Sequence, residues 1–262
     1  MKTETVPDYA AMSRLGAEII FRDADAALRT GRAYNLGLAT GNTMIALYEA
    51  LAARFNAART PLGRLHTWNL DEYSADGLAP VPQSHPLSYA RYMHENLFSK
   101  FDQELGFSPE NVHFPDPAAP SAYDPAIAAA GGLDLQLLGI GFNGHIAFNE
   151  PMGEDEISVE AFAALPTRVL PLSKETIAQN TALTAGGDAA LVPRYAATMG
   201  MAPILAAKKC LLLACFPEQE APLRAIFGRG GAPTPRLPAS YLWRHPDFRL
   251  VCTQDAISLR EA

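Results

Sequence analysis

The segment Cys210-Leu-Leu-Leu-Ala-Cys215 carries no strongly polar side chain. Successive residues of a strand point to opposite faces, so a wholly apolar strand must be covered on both sides. Tyr34-Asn-Leu-Gly-Leu-Ala39, Asp134-Leu-Gln-Leu-Leu138 running on to residue 140, and Phe248-Arg-Leu-Val-Cys252 read as further strands. So do Leu65–Leu70, ending at Asp71, then Thr167–Leu172 and Tyr195–Met199. Helical patterns alternate with them. Met12, Leu15, Ile19, Ile20, Ala24 and Leu28 recur at helical spacing over 8–30, and Thr43–Leu51, Ser88–Phe98 and 218–228 read likewise. A short helix follows Tyr195–Met199, and another covers Ala239–Arg244. This order predicts an α/β fold with a mainly parallel sheet covered by helices on both faces. No internal repeat, low-complexity tract or linker divides the chain, so residues 1–262 read as one domain.

The strand near Asp134 runs into Gly139-Ile-Gly-Phe-Asn-Gly-His145-Ile-Ala-Phe-Asn-Glu150-Pro151. Ligands of open α/β sheets bind at the carboxyl ends of the strands, where this segment lies. Gly139, Gly141 and Gly144 spell the dinucleotide pattern G-x-G-x-x-G, but Pro151 and Gly153 interrupt the long helix that pattern should open. A proton-transfer site is the better reading. Asn143, His145 and Glu150 are expected to form one hydrogen-bonded unit, with His145 as acid/base and Glu150 as the carboxylate that orients it.

Two other segments fall at strand ends. Thr40-Gly41-Asn42-Thr43 sits between a strand and a helix, where glycine admits a ligand to the backbone and unpaired N–H groups suit a phosphate. Ordinary helix capping, with Thr43 as N-cap, is the other reading. Asn69-Leu-Asp71-Glu72-Tyr73 brings two adjacent carboxylates to a strand end, one of which faces a site if the chain is extended; a solvated loop is the alternative. His85, ahead of Pro86, reads as structural.

A net charge of −7 with scattered Lys and Arg argues against a nucleic-acid surface. The three cysteines, Cys210, Cys215 and Cys252, lie in apolar runs, which suggests reduced buried thiols and no metal site. No signal peptide and no apolar stretch of membrane-spanning length is visible, so a cytoplasmic location without membrane contact is expected.

Leu36-Gly-Leu-Ala-Thr-Gly-Asn-Thr43, Asn69-Leu-Asp-Glu-Tyr73 with His85-Pro86 and Ser88-Tyr89, Gly139–Pro151 and Pro238-Ala-Ser-Tyr-Leu-Trp-Arg-His-Pro246 stand in one chain. Together they resemble the glucosamine-6-phosphate deaminase (isomerase) family, which is related to the 6-phosphogluconolactonases. The resemblance implies a Rossmann-like three-layer sandwich. It also implies a small sugar-phosphate substrate and a reaction without a cofactor: the ring opens, a proton moves between C2 and C1, and the amine leaves as ammonia to give a ketose phosphate. By position, Asp71 matches the proton carrier, His145 the ring-opening acid/base, Glu150 its partner, and Thr40–Thr43 a phosphate loop, with Glu72 and Arg168 assigned to substrate binding. A homo-oligomer is compatible with the resemblance. A related isomerase or lactonase of altered specificity, or a non-catalytic sugar-phosphate sensor, is the alternative; binding alone needs no proton carriers, which favours the enzyme. Many members carry Asp where Asn143 stands. The resemblance further implies an Arg and a Lys holding the phosphate. The matching positions fall near Ala182 and in Phe216-Pro-Glu-Gln219, where neither occurs; Arg168, Lys174, Arg194 and Arg224 are the candidate substitutes.

Overall fold

The computed structural model describes residues 2–259. Ten strands form two sheets: β1 (Lys2–Val6), β2 (Tyr34–Leu38), β3 (Leu65–Asn69), β4 (Asp71–Ser74), β5 (Val112–His113), β6 (Leu135–Gly139), β7 (Arg168–Pro171), β8 (Tyr195–Thr198), β9 (Cys210–Ala214) and β10 (Phe248–Thr253). The main sheet is parallel throughout, in the order β1-β10-β9-β6-β2-β3-β5. Every residue of β2 and β9 is buried. Because consecutive side chains point to opposite faces, both faces of the sheet are covered, as the apolar runs require.

The covering helices are α1 (Tyr9–Arg29), α2 (Ile45–Ala58), α3 (Tyr89–Asn96), α4 (Tyr123–Ala129), α5 (Val159–Ala163), α6 (Lys174–Leu183), α7 (Met201–Leu205) and α8 (Glu220–Gly228). The Asp8 side chain accepts the Ala11 N–H at 2.8 Å and starts α1, which buries Met12, Ile20, Ala24 and Leu28. The sheet grows outward in both directions from the β2–β6 pair. β2 continues through β3 to β5, and β6 through β9 to β10. The loops leaving β2 and β6 therefore diverge, opening a crevice at the carboxyl ends of adjacent strands.

Two expected strands belong elsewhere. Residues of Thr167–Leu172 and Tyr195–Met199 form β7 and β8 of a separate antiparallel sheet, ordered β4-β8-β7. β4, where a strand end or a loop was expected, is wholly buried despite beginning Asp-Glu. Glu72 explains part of this. Its carboxylate accepts N–H groups of Tyr73 at 2.8 Å, Tyr89 at 3.0 Å and Ala90 at 2.8 Å, and the Ser88 hydroxyl at 3.2 Å. It caps the positive end of α3, a favourable place for a carboxylate. The assignment of Glu72 to substrate binding is corrected accordingly: strand alternation turns it away from Asp71, and α3 occupies it.

Glu72→Ala should lower stability by roughly 3 kcal/mol or more, since several buried donors would lose their acceptor. Urea unfolding checks this. A carboxylate serving only a ligand would leave the midpoint unchanged.

Candidate active site

The crevice holds a cavity of about 330 Å³. Its walls come from the loops after β2, β3, β6 and β9, with Tyr89 of α3 and one side of α6. Thr40, Gly41, Asn42 and Thr43 line it, as do Asp71 and His145. Gly41 has φ 108°, a conformation that favours glycine, and a Cβ there would meet open space. Thr43 is not an N-cap; it lies inside a short 3-10 helix, Asn42–Met44, that Gly41 precedes. Gln219 joins two walls: its carbonyl accepts the N–H groups of Cys215 at 2.7 Å and Phe216 at 2.9 Å, while its amide donates to Ile140 O at 2.8 Å.

No helix follows the glycine-rich turn after β6. The turn instead lays the His145 ring flat over Gly141, where any Cβ would overlap the imidazole. Asn143 Oδ1 lies 2.7 Å from His145 Nδ1 and also accepts the His145 backbone N–H at 3.1 Å. The Asn143 amide donates to Glu150 Oε2 at 2.8 Å, and Glu150 Oε1 accepts the Thr176 hydroxyl. With the Asn143 carbonyl turned to the ring, Nδ1 must be the protonated nitrogen, which leaves the Nε2 lone pair free to take a proton. Glu150 Oε2 also lies 3.6 Å from Nδ1, so it reaches the ring both through Asn143 and by its own charge. Desolvation lowers the His145 pKa, and the Glu150 charge opposes it more weakly. The ring is thus held neutral and oriented.

Asp71 is 7% exposed, at the start of β4. Burial raises its pKa to about 7, opposed first by the Thr198 hydrogen bond and then by the nearby Phe148 N–H, whose bond goes to the Thr198 oxygen. A carboxyl group poised there can both take and return a proton near neutrality. Opposite, Asn180 donates to the Tyr73 hydroxyl at 2.7 Å, and the Tyr89 hydroxyl donates to the same oxygen at 3.0 Å. These bonds tie α6 to the β4 side of the cavity.

Thr40, Gly41, Asn42, Thr43, Asp71 and His145 are therefore brought together at one cavity, with Asn143 and Glu150 directly behind His145. Arg168 is not at the cavity wall. Its guanidinium donates to Asn149 Oδ1 at 2.8 Å, and Asn149 in turn holds Ile146 O and Met199 O. Arg168 thus braces the loop behind the cavity, and its assignment to substrate contact is corrected. Lys174, Arg194 and Arg224 do not line the cavity either, and Arg224 lies 3.1 Å from Glu220. Among the described residues, no Lys or Arg lines the cavity, and no group of His, Cys, Asp or Glu could hold a metal ion. Thr176 and Thr198 had no signal in the sequence, because each gains meaning only from the carboxylate that folding sets beside it.

Comparison with known proteins gives a consistent picture. The family model described as glucosamine-6-phosphate isomerases/6-phosphogluconolactonase matches residues 7–152. Glucosamine-6-phosphate deaminase 2 of Bacillus subtilis is 38% identical, with 98% of this chain and 96% of the relative covered. Glucosamine-6-phosphate deaminase of Rhodopirellula baltica is 38% identical, over 99% and 96%. A solved monomeric glucosamine-6-phosphate deaminase superposes with TM-score 0.83 at 30% identity, covering 99% of this chain and 100% of that one. A 6-phosphogluconolactonase of Thermotoga maritima, at 22% identity and TM-score 0.68, shares the fold.

The raised Asp71 pKa carries a stability consequence. The folded state keeps the proton up to about pH 7, whereas an unfolded aspartate releases it near pH 3.8. Stability therefore falls as pH rises between those values and is flat above them. Asp71→Asn should remove this loss. Its advantage over the parent should be absent at pH 3.5, grow through pH 7, and reach at most about 4 kcal/mol. Chemical unfolding of both proteins across pH 4–8 reads this; a difference independent of pH would contradict it.

Proposed function

The chain belongs to the glucosamine-6-phosphate isomerase/6-phosphogluconolactonase family, and within it we propose the deamination and isomerisation of glucosamine-6-phosphate to fructose-6-phosphate and ammonia. The observation that carries this reading is the pairing, at one cavity, of a neutral oriented histidine with a buried carboxyl group whose pKa is about 7. These are two proton-transfer groups with separate tasks. His145 Nε2 takes the anomeric hydroxyl proton as the C1–ring oxygen bond breaks, and a proton returns to the ring oxygen. Asp71 removes the proton at C2 of the open aldehyde as O1 gains one, giving an enolamine; it then delivers its proton to C1 as the amine gives one up, which leaves an imine at C2. Water adds to that carbon, and ammonia departs from the ketose.

The phosphate is assigned to Thr40, Asn42, Thr43 and the backbone N–H groups of that loop. With no Lys or Arg at the cavity wall among the described residues, neutral donors carry this recognition. Two such bonds to a charged group, at roughly 1.5 kcal/mol each, amount to about a hundredfold in kcat/KM over unphosphorylated glucosamine. Free buried cysteines support a cytoplasmic setting, and no helix of the described residues is long and apolar enough to cross a membrane.

The deciding experiment is ammonia release from glucosamine-6-phosphate, glucosamine and galactosamine-6-phosphate. Turnover should require Asp71: Asp71→Asn should lower kcat by orders of magnitude with KM little changed. No ammonia from any of the three sugars would sink the reading.

His145→Gln and Glu150→Gln should each slow turnover, and the double variant should be little worse than the worse single, because the residues act as one unit. Losses that multiply across the double-mutant cycle would separate them.

A further inference from the structure

Asp71 on β4, Thr198 on β8 and Arg168 on β7 stand in one row across the small sheet. Directly opposed residues of antiparallel strands present their side chains on one face, so Thr198 lies between a carboxylate and a guanidinium. Thr198 is fully buried. Its oxygen accepts the Phe148 N–H at 3.0 Å, and its hydroxyl proton goes to Asp71 Oδ1. A hydroxyl has one proton to give, and with the Phe148 N–H on its acceptor side that proton is committed to Asp71. Arg168 turns aside to Asn149, and among the described residues it makes no ion pair with Asp71.

We propose that Thr198 is the positioning residue of the proton carrier: it holds Asp71 by one oxygen, leaves the other for the substrate carbon, and occupies the place where Arg168 would otherwise pair with the carboxylate. This rests on the proton-carrier role of Asp71 given above. A carboxylate in a direct salt bridge is a weak base and loses its proton too readily to return it. One neutral hydroxyl favours the charged form only mildly, which suits a group that must hold the proton in one step and release it in the next. The Phe148 bond adds registration. Thr198 ties Asp71 to the loop that carries His145, so the two proton-transfer groups are set against each other through one side chain.

The other titratable groups within electrostatic reach of Asp71 are Glu72, turned to the opposite face, and Tyr73 from its own strand, Tyr89 from α3, Tyr123 from α4, Arg168 from β7, and His145 across the cavity. Burial dominates its titration, and the Thr198 hydrogen bond is the largest influence against burial.

The test compares Thr198→Val, which removes the hydroxyl at nearly constant shape, with Thr198→Ser, which keeps it. The Asp71 carboxyl carbon is followed by carbon-13 NMR titration, assigned by its disappearance in Asp71→Asn. Thr198→Val should raise the Asp71 pKa by about one unit, whereas Thr198→Ser should titrate like the parent. In ammonia release, Thr198→Val should lower kcat tenfold or more at nearly constant KM, and move the acid limb of the pH profile upward with the NMR value. Thr198→Ser should restore both. An unshifted titration in Thr198→Val, or a lower kcat with an unshifted acid limb, would overturn the proposal and leave Thr198 a packing residue. If the parent releases no ammonia, the deaminase reading falls, and the titration alone still decides whether Thr198 sets Asp71. If Thr198→Val does not fold, Thr198→Cys, a weaker donor, must give an intermediate shift; a parental titration there also overturns the proposal.

Discussion

The cavity is arranged around one constraint: the central strands are buried on both faces. β2 and β9 offer no residue to water along their length, so only their ends can carry chemistry. At the carboxyl ends the loops after β2 and β6 turn apart because the sheet order reverses between them. Glycine at 141 then lets the His145 ring lie against the backbone where a side chain would block it, and glycine at 41 takes the positive φ that the β2 loop needs. Gln219 holds the loop after β9 to the loop after β6, bonding the first with its carbonyl and the second with its amide.

The two proton-transfer groups are tuned by different means. Asp71 is governed by the loss of water around it, and its hydrogen bonds only temper that effect. For His145 the loss of water lowers the pKa, and orientation by its neighbours is added to it. Asn143 bonds both the ring and Glu150, so the carboxylate orients the imidazole through the amide while its charge, 3.6 Å from Nδ1, weakly opposes the effect of burial. An amide in that place fixes which nitrogen bears the proton while lending little charge, so the imidazole stays neutral and its free nitrogen can accept a proton.

How much of this the sequence disclosed follows from where each residue's meaning resides. The apolar strands were legible because burial on two faces leaves an unbroken hydrophobic run, as in Cys210–Cys215. The Gly139–Pro151 turn was legible because glycine, histidine and proline each limit the backbone or the chemistry locally. β4 was not: Asp71-Glu72 reads as surface, and only the Thr198 hydroxyl and the exposed N–H groups of α3 make its burial tolerable. Alternation along an extended chain said that one of the two carboxylates would face the site, but not that the other would cap a helix. β1 was missed because Lys-Thr-Glu-Thr-Val, an edge strand, buries little. Arg168 looked like a free cation until folding placed the Asn149 carbonyl in front of it.

The pairing of β1 with β10 has a consequence for biosynthesis. In the described residues β1 lies at the sheet's edge beside β10 alone, and it precedes every other strand in the chain while β10 follows them all. On a ribosome β1 emerges long before β10 and must wait for it to gain a partner. Closing so long a loop is entropically costly and slow, so this edge should form late. Through that interval β1 is an unpaired strand, and its lysine and glutamate side chains are of the kind that discourage pairing with a neighbouring chain. The polar sequence that hid the strand from view is thus also what keeps it soluble until its partner is made.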